Sequence, residues 1–177
     1  PDLILLPGSK NTTEDLLYIR DSGLEEAIRS CVSRGTLLFG ICGGYQMLGR
    51  VVRDPLHTES EHEQTTGFGY LPIETTFAAT KRLRQVTATA DFSFLGAQIS
   101  AVNLFGYEIH MGRSRVVDGF DASPLVKMSD GRLEGYCVGD HCMGTYLHGI
   151  LDNEIFIERL LQPFAERLYE QAAGQDY

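Results

Sequence analysis

Short apolar runs alternate with amphipathic stretches along the first fifty residues. Leu3–Leu6 is an apolar run that stops at a Pro-Gly pair, which predicts a buried strand followed by a loop. A helical pattern follows from Asn11 onward, and a second amphipathic helix is predicted at Leu24–Arg34. Thr36–Ile41 predicts a second buried strand, and Tyr45–Arg50 predicts a further helix. This alternation indicates an α/β domain with a mostly parallel sheet.

The second half of the chain changes to a strand-rich pattern. Asp54–Thr66 is polar and acidic without periodicity, so it predicts a surface loop. Strands are predicted after it at Leu71–Phe77, Arg84–Ala90, Gln98–Asn103, Gly106–His110 and Cys137–Val138. A last amphipathic helix is predicted at Asn153–Tyr169, with a kink at Pro163. One compact domain accounts for the whole pattern.

Composition and charge narrow the functional classes. The 177 residues carry a formal net charge of -9, which would repel the phosphate backbone of a nucleic acid. The sequence contains no apolar run of roughly 18 residues, so no membrane span is expected. The four cysteines do not form a dense disulfide framework, and reduced thiols in the cytoplasm are expected. Because a strand follows Pro1 almost at once, we expect the C-terminal part of a longer polypeptide.

The strongest chemical signal is the segment Phe39–Gln46, in which a buried strand ends in Gly-x-Cys-x-Gly and a helix starts at once. This is the cysteine form of a nucleophile elbow, a strained strand-to-helix turn that exposes the reactive atom. Gly40 and Gly44 leave room for the close approach of strand and helix. The helix N-terminus favours a thiolate at Cys42, and the N–H of Gly43 can donate to an oxyanion. A buried structural cysteine is the alternative.

Four segments carry a resemblance to a known family. The elbow, with Gln46 four residues after the cysteine, resembles the class I (triad) glutamine amidotransferases. More narrowly, the chain resembles the C-terminal domain of the cobyric acid synthase family. Four segments carry this resemblance: Leu-Pro-Gly-Ser-Lys-Asn-Thr at 6–12, Gly-Ile-Cys-Gly-Gly-Tyr-Gln-Met-Leu-Gly at 40–49, Gly-Tyr-Glu-Ile-His-Met-Gly at 106–112 and Gly-Thr-Tyr-Leu-His-Gly at 144–149. The resemblance implies a three-layer, flavodoxin-like fold over residues 1–177.

The resemblance also implies a division of labour between two domains. In that family a glutaminase domain frees ammonia from L-glutamine and needs no cofactor. An N-terminal synthetase domain of the same polypeptide uses ATP and Mg²⁺ to activate carboxylates of adenosylcobyrinic acid a,c-diamide. Ammonia then converts these carboxylates to amides, giving cobyric acid in cobalamin biosynthesis. The chain contains no Gly-x-x-x-x-Gly-Lys-Ser/Thr motif, which agrees with a synthetase site on a separate domain.

The same resemblance assigns the reacting groups. Cys42 resembles the nucleophile that forms a glutamyl thioester, and His148 resembles the base that takes the thiol proton and later protonates the leaving ammonia. Gly8 and Gly43 resemble the two main-chain donors of the oxyanion hole. Most triad members carry a glutamate two residues after the histidine, where this chain has Ile150. We therefore expect a less firmly oriented imidazole and slow glutamine hydrolysis by the isolated domain.

Further residues are expected around the bound glutamine. Gln46 resembles the residue that contacts the substrate, and Ser9 and Tyr45 are placed beside it. Glu108 and His110 share one face of a predicted strand because they are two residues apart. His110 is a rival base, but we prefer His148 as the base, with His110 and Glu108 as supporting residues behind the reacting groups.

Other groupings of residues point to weaker alternatives. A metal site is not predicted, because neither the group His57, Glu59, Glu61, His62 and Glu63 nor the group Cys137, His141 and Cys142 matches a firm ligand spacing. Lys10 could bind a carboxylate or phosphate, although a solvated lysine is the default. Alternative functions are an amide synthase with another acceptor (cobyrinic or hydrogenobyrinic acid, or a peptidoglycan precursor), a hydrolytic or chaperone-like relative that does not use glutamine, and a non-catalytic module of the same fold.

Overall fold

A computed structural model of the protein describes residues 1–173, apart from the side chains of residues 81, 101, 102 and 171–173. Four helices are present in this part of the chain: α1 (Thr12–Asp21), α2 (Leu24–Ser33), α3 (Gly43–Leu48) and α4 (Glu154–Ala173). The strands are β1 (Leu3–Leu6), β2 (Leu37–Ile41), β3 (Val51–Arg53), β4 (Gln64–Thr66), β5 (Ile73–Phe94), β6 (Ala97–Val116), β7 (Ser123–Met128), β8 (Leu133–Val138), β9 (Cys142–Thr145) and β10 (Leu147–His148). A 3₁₀ turn at Ile150–Asp152 precedes α4.

All ten strands belong to one sheet with the order β1-β2-β9-β8-β7-β5-β3-β4, in which β6 pairs with β5 and β10. The predicted α/β class is confirmed, but the prediction of a mostly parallel sheet was wrong. Among the described residues, only β1–β2, β2–β9 and β3–β5 are parallel pairs. A parallel connection needs a crossover of a dozen or more residues, usually a helix. Between α3 and the 3₁₀ turn the described chain has no helix, so hairpins make most of the sheet antiparallel.

The two longest strands form an antiparallel ribbon, β5–β6. The four strands predicted between residues 71 and 110 are two strands here, because pairing continues through register shifts at Phe77/Arg82 and Ala90/Phe92. The ribbon turns at Leu95 and Gly96, which both have positive φ angles, of 47° and 75°. Two consecutive residues with positive φ make the type I′ turn that suits the twist of a hairpin. The ribbon brings Glu108, Ile109 and His110 next to β10.

The sequence prediction missed the short strands. The predicted loop at 54–66 ends in β4, which pairs with β3, and β7, β9 and β10 had no predicted counterpart. The last predicted strand begins four residues earlier than expected, at Leu133. Strands of two to six residues carry little periodicity of their own, so their conformation follows from the strands that they pair with.

The sheet separates two hydrophobic cores, which gives the predicted three layers. Leu37 and Phe39 of β2 pack in the core that contains Phe156 of α4. Leu38, whose side chain points to the opposite face, packs with Leu16 of α1. Helix α4 continues through Pro163. None of the helices in the described part of the chain has the length and apolar character needed to cross a membrane.

Candidate active site

Cys42 lies at a sharp turn between β2 and α3, as the elbow pattern predicts. Its φ and ψ angles are 52° and -107°, a conformation that costs a non-glycine residue on the order of 1–3 kcal/mol. Two main-chain hydrogen bonds hold the turn. The N–H of Cys42 donates to the carbonyl of Thr145 at 2.9 Å, and the N–H of Gln46 donates to the carbonyl of Cys42 at 3.0 Å. The strain is therefore maintained by β9 on one side and α3 on the other.

The glycines of the elbow are required by main-chain contacts. A Cβ atom on Gly40 would lie 2.6 Å from the nitrogen of Tyr45, and one on Gly44 would lie 2.0 Å from the carbonyl oxygen of Leu6. The N–H of Gly44 also donates to the carbonyl of Pro7 at 3.0 Å. A side chain at either glycine would therefore push α3 away from β1 or β2 and move the sulfur.

Cys42 and His148 meet at a single main-chain carbonyl. The Cys42 side chain is buried, and its Sγ atom lies 3.5 Å from the oxygen of Ile109. The Nε2 atom of His148 lies 3.2 Å from the same oxygen. A ring N–H must donate in this contact, so Nε2 carries the hydrogen and Nδ1 is left with the lone pair that can accept a proton. The carbonyl of β6 thereby selects one tautomer of the imidazole.

At the position where most triad members carry a glutamate, this chain has Ile150, whose side chain packs in the core. Ile150 is fully buried in the core beneath α4. Asn153 instead holds this turn, because its side-chain amide donates to the carbonyls of Phe105, Gly149 and Ile150. The imidazole of His148 is thus oriented by a neutral carbonyl from β6, a weaker stabiliser of an imidazolium than a carboxylate.

The loop between β1 and α1 closes the other side of the thiol. A Cβ atom on Gly8 would lie 3.4 Å from Cε1 of His148 and 3.7 Å from Cβ of Cys42. A Cβ atom on Gly43 would lie only 2.8 Å from the nitrogen of Ser9. The hydroxyl of Ser9 donates to Asp15 at 2.5 Å and so fixes the loop at the start of α1. The two glycines predicted as oxyanion donors are therefore brought to the thiol together.

Gln46 is buried and its side-chain amide is oriented from both ends. Its Oε1 atom accepts a hydrogen bond from the hydroxyl of Thr12 at 2.9 Å, and its Nε2 atom donates to the hydroxyl of Tyr146 at 3.1 Å. Tyr45 does not reach the cavity at Cys42. It packs edge-to-face on Tyr146 in the core, with ring centroids 5.1 Å apart. The structure therefore brings Gln46 to the cavity and leaves Tyr45 behind it.

His110 lines the cavity and is held by a ring stack and a hydrogen bond. Its imidazole stacks on Tyr146 at 3.8 Å, and its Nδ1–H donates to the carbonyl of Gly112 at 2.7 Å. The Nε2 atom is buried and has no hydrogen-bond partner among the residues that the structure describes. Burial lowers the pKa of His110, because a charged imidazolium loses its water there, and this effect exceeds the opposing ones from the Gly112 carbonyl and from Glu108.

Glu108 shares the face of β6 with His110, as its spacing predicts. Glu108 is 1% exposed, and its carboxylate accepts hydrogen bonds from Arg84 at 2.5 Å and from Arg132 at 3.0 and 3.1 Å. The nearest His110 ring nitrogen is 3.8 Å away. Because two arginines already pair with Glu108, this carboxylate stabilises the ribbon more than it orients His110.

The cavity at Cys42 has a volume of about 650 Å³ and brings together residues from five parts of the chain. Its lining includes six residues that the sequence predicted: Cys42, His148, Gly8, Ser9, Gln46 and His110. It also includes Lys10, Thr12, Thr58, Glu59 and Ile109, which were not predicted as site residues. A cavity of this size is ample for one amino acid.

Residues 54–60 form a loop, as predicted, but it is an ordered one, and Thr58 and Glu59 line the cavity. The buried carboxylate of Asp54 accepts hydrogen bonds from the main-chain N–H groups of Thr58, Glu59 and Ser60 and from the hydroxyl of Thr58. Burial raises the pKa of Asp54, but these bonds outweigh it and lower the pKa below its usual value. The Asp-Pro pair at 54–55 is a turn signal that could have been recognised in the sequence.

The residues weighed as metal ligands do not form a metal centre in the described part of the chain. No group of three or more His, Cys, Asp or Glu side chains is arranged there to hold an ion. Glu59 instead accepts a hydrogen bond from the N–H of Thr12, and His57 contacts the carbonyl of Ser60. Cys137 and Cys142 are buried thiols in the sheet.

Sequence comparison identifies the family of the chain. Residues 1–156 match the CobB/CobQ-like glutamine amidotransferase domain. The chain is 48% identical over 171 residues to the cobyric acid synthase of Bacteroides fragilis, covering 97% of this chain and 33% of that protein. It is 47% identical over 163 residues to the cobyric acid synthase of Moorella thermoacetica, covering 87% and 31%. The chain therefore spans about a third of the length of the curated relatives that it matches.

Solved structures share the fold at low sequence identity. A crystal structure described as a glutamine amidotransferase superposes with a TM-score of 0.61 at 18% identity, covering 92% of this chain and 78% of that chain. The structure of PurLQS from Thermotoga maritima gives a TM-score of 0.65 at 17% identity, covering 94% and 80%. The fold of the chain is therefore that of the glutamine amidotransferases.

Proposed function

The chain belongs to the CobB/CobQ-like glutamine amidotransferase domain family, and from this premise we propose that it hydrolyses L-glutamine through a thioester on Cys42. The observation that carries the proposal is the meeting of Cys42 and His148 at the carbonyl of Ile109, with the sulfur at a strained elbow. A thiol and an imidazole at one contact point can exchange a proton. A purely structural cysteine would not need a positive φ angle.

The proposed reaction has two halves that share His148. First, Nδ1 of His148 takes the thiol proton, and the sulfur attacks the side-chain amide carbon of glutamine. Main-chain N–H groups of Gly8 and Gly43 donate to the oxyanion, and the C–N bond breaks as His148 returns the proton to ammonia. Water, deprotonated by His148, then attacks the thioester carbon. The C–S bond breaks, glutamate leaves, and the thiol is restored.

The names and lengths of the relatives suggest which molecule accepts the ammonia. Because the chain spans about a third of proteins named cobyric acid synthase, we infer that residues 1–177 form the C-terminal glutaminase domain of such an enzyme. An N-terminal synthetase domain of the same polypeptide would use ATP and Mg²⁺ to activate carboxylates of adenosylcobyrinic acid a,c-diamide for amidation to cobyric acid. This reaction would take place in the cytoplasm. An amide synthase with another acid as acceptor is the second candidate, since acceptor binding lies outside this domain.

Covalent trapping tests the glutaminase proposal most directly. The glutamine analogue 6-diazo-5-oxo-L-norleucine should add one label per chain, and peptide mapping should place it on Cys42. The Cys42→Ala variant should lose both labelling and ammonia release from glutamine, whereas Cys31→Ala, which changes a cysteine of α2, should keep both. An unlabelled wild-type chain, or ammonia release that survives Cys42→Ala, would exclude the thioester mechanism and favour a non-catalytic module.

A further inference from the structure

The cavity at Cys42 contains one carboxylate and one ammonium group in its lining, those of Glu59 and Lys10. Lys10 is exposed, whereas Glu59 is only partly exposed. None of the ion pairs between described residues includes Glu59. Burial raises the pKa of Glu59, and the N–H of Thr12 only partly offsets this effect. A partly desolvated carboxylate of this kind is stabilised when a cation binds to it.

Glu59 is held in position by main-chain and side-chain contacts on both sides. Its N–H donates to Asp54 at 2.8 Å, and its carbonyl accepts from the side chain of Asn11 at 2.9 Å. Its Oε2 atom accepts from the N–H of Thr12 at 3.1 Å. A carboxylate offers about four acceptor positions, so it has capacity left for a ligand. The side chain is thus anchored to α1 and to the turn at Asp54 while it lines the cavity.

Thr12 connects Glu59 to the reacting end of the cavity. Its N–H contacts Glu59, and its hydroxyl donates to Oε1 of Gln46 at 2.9 Å. Gln46 lies in α3, four residues after Cys42, and its N–H bonds the carbonyl of Cys42. A rigid chain of contacts therefore runs from the thiol to the carboxylate, so a ligand can engage both with fixed spacing.

L-Glutamine is complementary to these charges. Its amide must reach Cys42, and its other end carries an α-ammonium and an α-carboxylate group. We propose that Glu59 binds the α-ammonium group of the substrate and thereby selects amides of α-amino acids over simple amides. Lys10, which also lines the cavity, supplies the opposite charge for the α-carboxylate. This assignment rests on the proposed glutaminase function and adds the group that recognises the amino-acid end.

Rates of Cys42 alkylation test the assignment. Three reagents are compared: 6-diazo-5-oxo-L-norleucine, its analogue without the amino group (6-diazo-5-oxohexanoate), and iodoacetamide. In Glu59→Gln the amide keeps an acceptor for the N–H of Thr12 and loses only the charge. Its second-order labelling rate with the amino-acid reagent should fall roughly 10- to 100-fold, as for loss of a charged hydrogen bond. Its rates with the other two reagents should stay within about twofold of wild type. The matched control Glu61→Gln, an exposed glutamate outside the cavity lining, should change none of the three rates.

Each other outcome overturns the assignment in a distinguishable way. If Glu59→Gln and wild type label equally with the amino-acid reagent, Glu59 does not recognise the ammonium group, and the glutaminase proposal stands. If Glu59→Gln slows iodoacetamide as well, Glu59 acts on the thiol and not on the substrate. If wild type is labelled at equal rates by the reagents with and without the amino group, no ammonium site exists. This comparison uses wild type alone, so it does not depend on the folding of a variant. If wild type is not labelled at Cys42 at all, the glutaminase proposal and this assignment fail together.

Discussion

Two regions meet at the cavity, and they are built differently. The elbow region, made of β1, β2, α3 and β9, is held by main-chain contacts. Gly44 lies against the carbonyl of Leu6, and Cys42 bonds the carbonyl of Thr145. The β5–β6 ribbon pairs with β10 through its main chain and is held at the same cavity by side-chain contacts as well. There Glu108 pairs with two arginines and His110 stacks on Tyr146.

The difference shows where substitutions can be absorbed. Main-chain atoms at the elbow cannot move without moving a whole strand, because each is bonded into the sheet. Side chains on the ribbon can change rotamer, so a clash or a lost charge is met locally. The carbonyl of Ile109, which contacts both Cys42 and His148, is the point where the ribbon joins the elbow.

The largest expected effect separates His148, on β10, from His110, on the ribbon. His148→Asn should lower the rate of ammonia release about 1000-fold, because it removes the proposed base. His110→Asn should lower it less than about tenfold, since His110 stacks on Tyr146 and its pKa is already lowered by burial. Steady-state glutaminase assays measure the rates of both variants, with Cys42→Ala as the inactive reference. A greater loss of ammonia release in His110→Asn than in His148→Asn would mean that His110 is the base.

The next largest effect compares a glycine from each region. In Gly44→Ala the new Cβ would lie 2.0 Å from the oxygen of Leu6, a main-chain atom. In Gly112→Ala it would lie 2.3 Å from Nε2 of Gln46 and 3.0 Å from the hydroxyl of Tyr146, both ends of side chains. We expect Gly44→Ala to lose about 3 kcal/mol of unfolding free energy and Gly112→Ala about 1 kcal/mol.

Urea denaturation of both glycine variants and wild type measures these differences. Equal destabilisation would mean that the ribbon is as rigid as the elbow. Gly112→Ala should also weaken glutamine binding, because it displaces the amide of Gln46, and this would register as a raised KM.

The smallest effect concerns two buried carboxylates. Glu134 of β8 accepts hydrogen bonds from the hydroxyl of Thr145 at 2.5 Å and the N–H of Tyr146 at 2.7 Å, and burial raises its pKa to about 7 from 4.5. The folded state therefore favours the protonated acid. This contribution to stability is full below pH 4.5 and is lost as the pH rises through about 7.

Glu134→Gln keeps a neutral group that can accept from Tyr146 and donate to Thr145. Between pH 5 and pH 8, wild type should lose about 2 kcal/mol of unfolding free energy relative to this variant. Glu108→Gln on the ribbon is the contrast, because it leaves Arg84 and Arg132 without their buried partner and should destabilise the fold at both pH values. A Glu134→Gln difference that does not change with pH would contradict the raised pKa.

The predicted residues that the structure brings to the cavity come mostly from motifs that are contiguous in the sequence. The elbow at Cys42 is a contiguous pattern, and so is the Pro-Gly-Ser loop that brings Gly8 and Ser9 to it. His148 was preferred over His110 because of its position near the end of the sheet. Tyr45 was misplaced, because a residue adjacent to the elbow in sequence points into the core on the far side of α3.

Glu59 and Ile109 were missed as site residues for a different reason. Glu59 reaches the cavity because the side chain of Asp54 folds its loop inward and Thr12 holds its carboxylate. Ile109 contributes a main-chain oxygen, which any residue type could supply. A main-chain role leaves no signature in residue type, and the turn signal at 54–55 does not show that Glu59 faces the cavity.

Residue order alone was sufficient for the α/β class, the start of α1, the position of α2 and the strained turn at Cys42, because each depends on hydrophobic period or on glycine within a few positions. Folding in three dimensions settled the antiparallel half of the sheet, the tautomer-selecting contact at Ile109 and the inward position of Glu59. These depend on pairing between segments dozens of residues apart, whose free energy comes from burial and hydrogen bonds that exist only once the sheet has assembled.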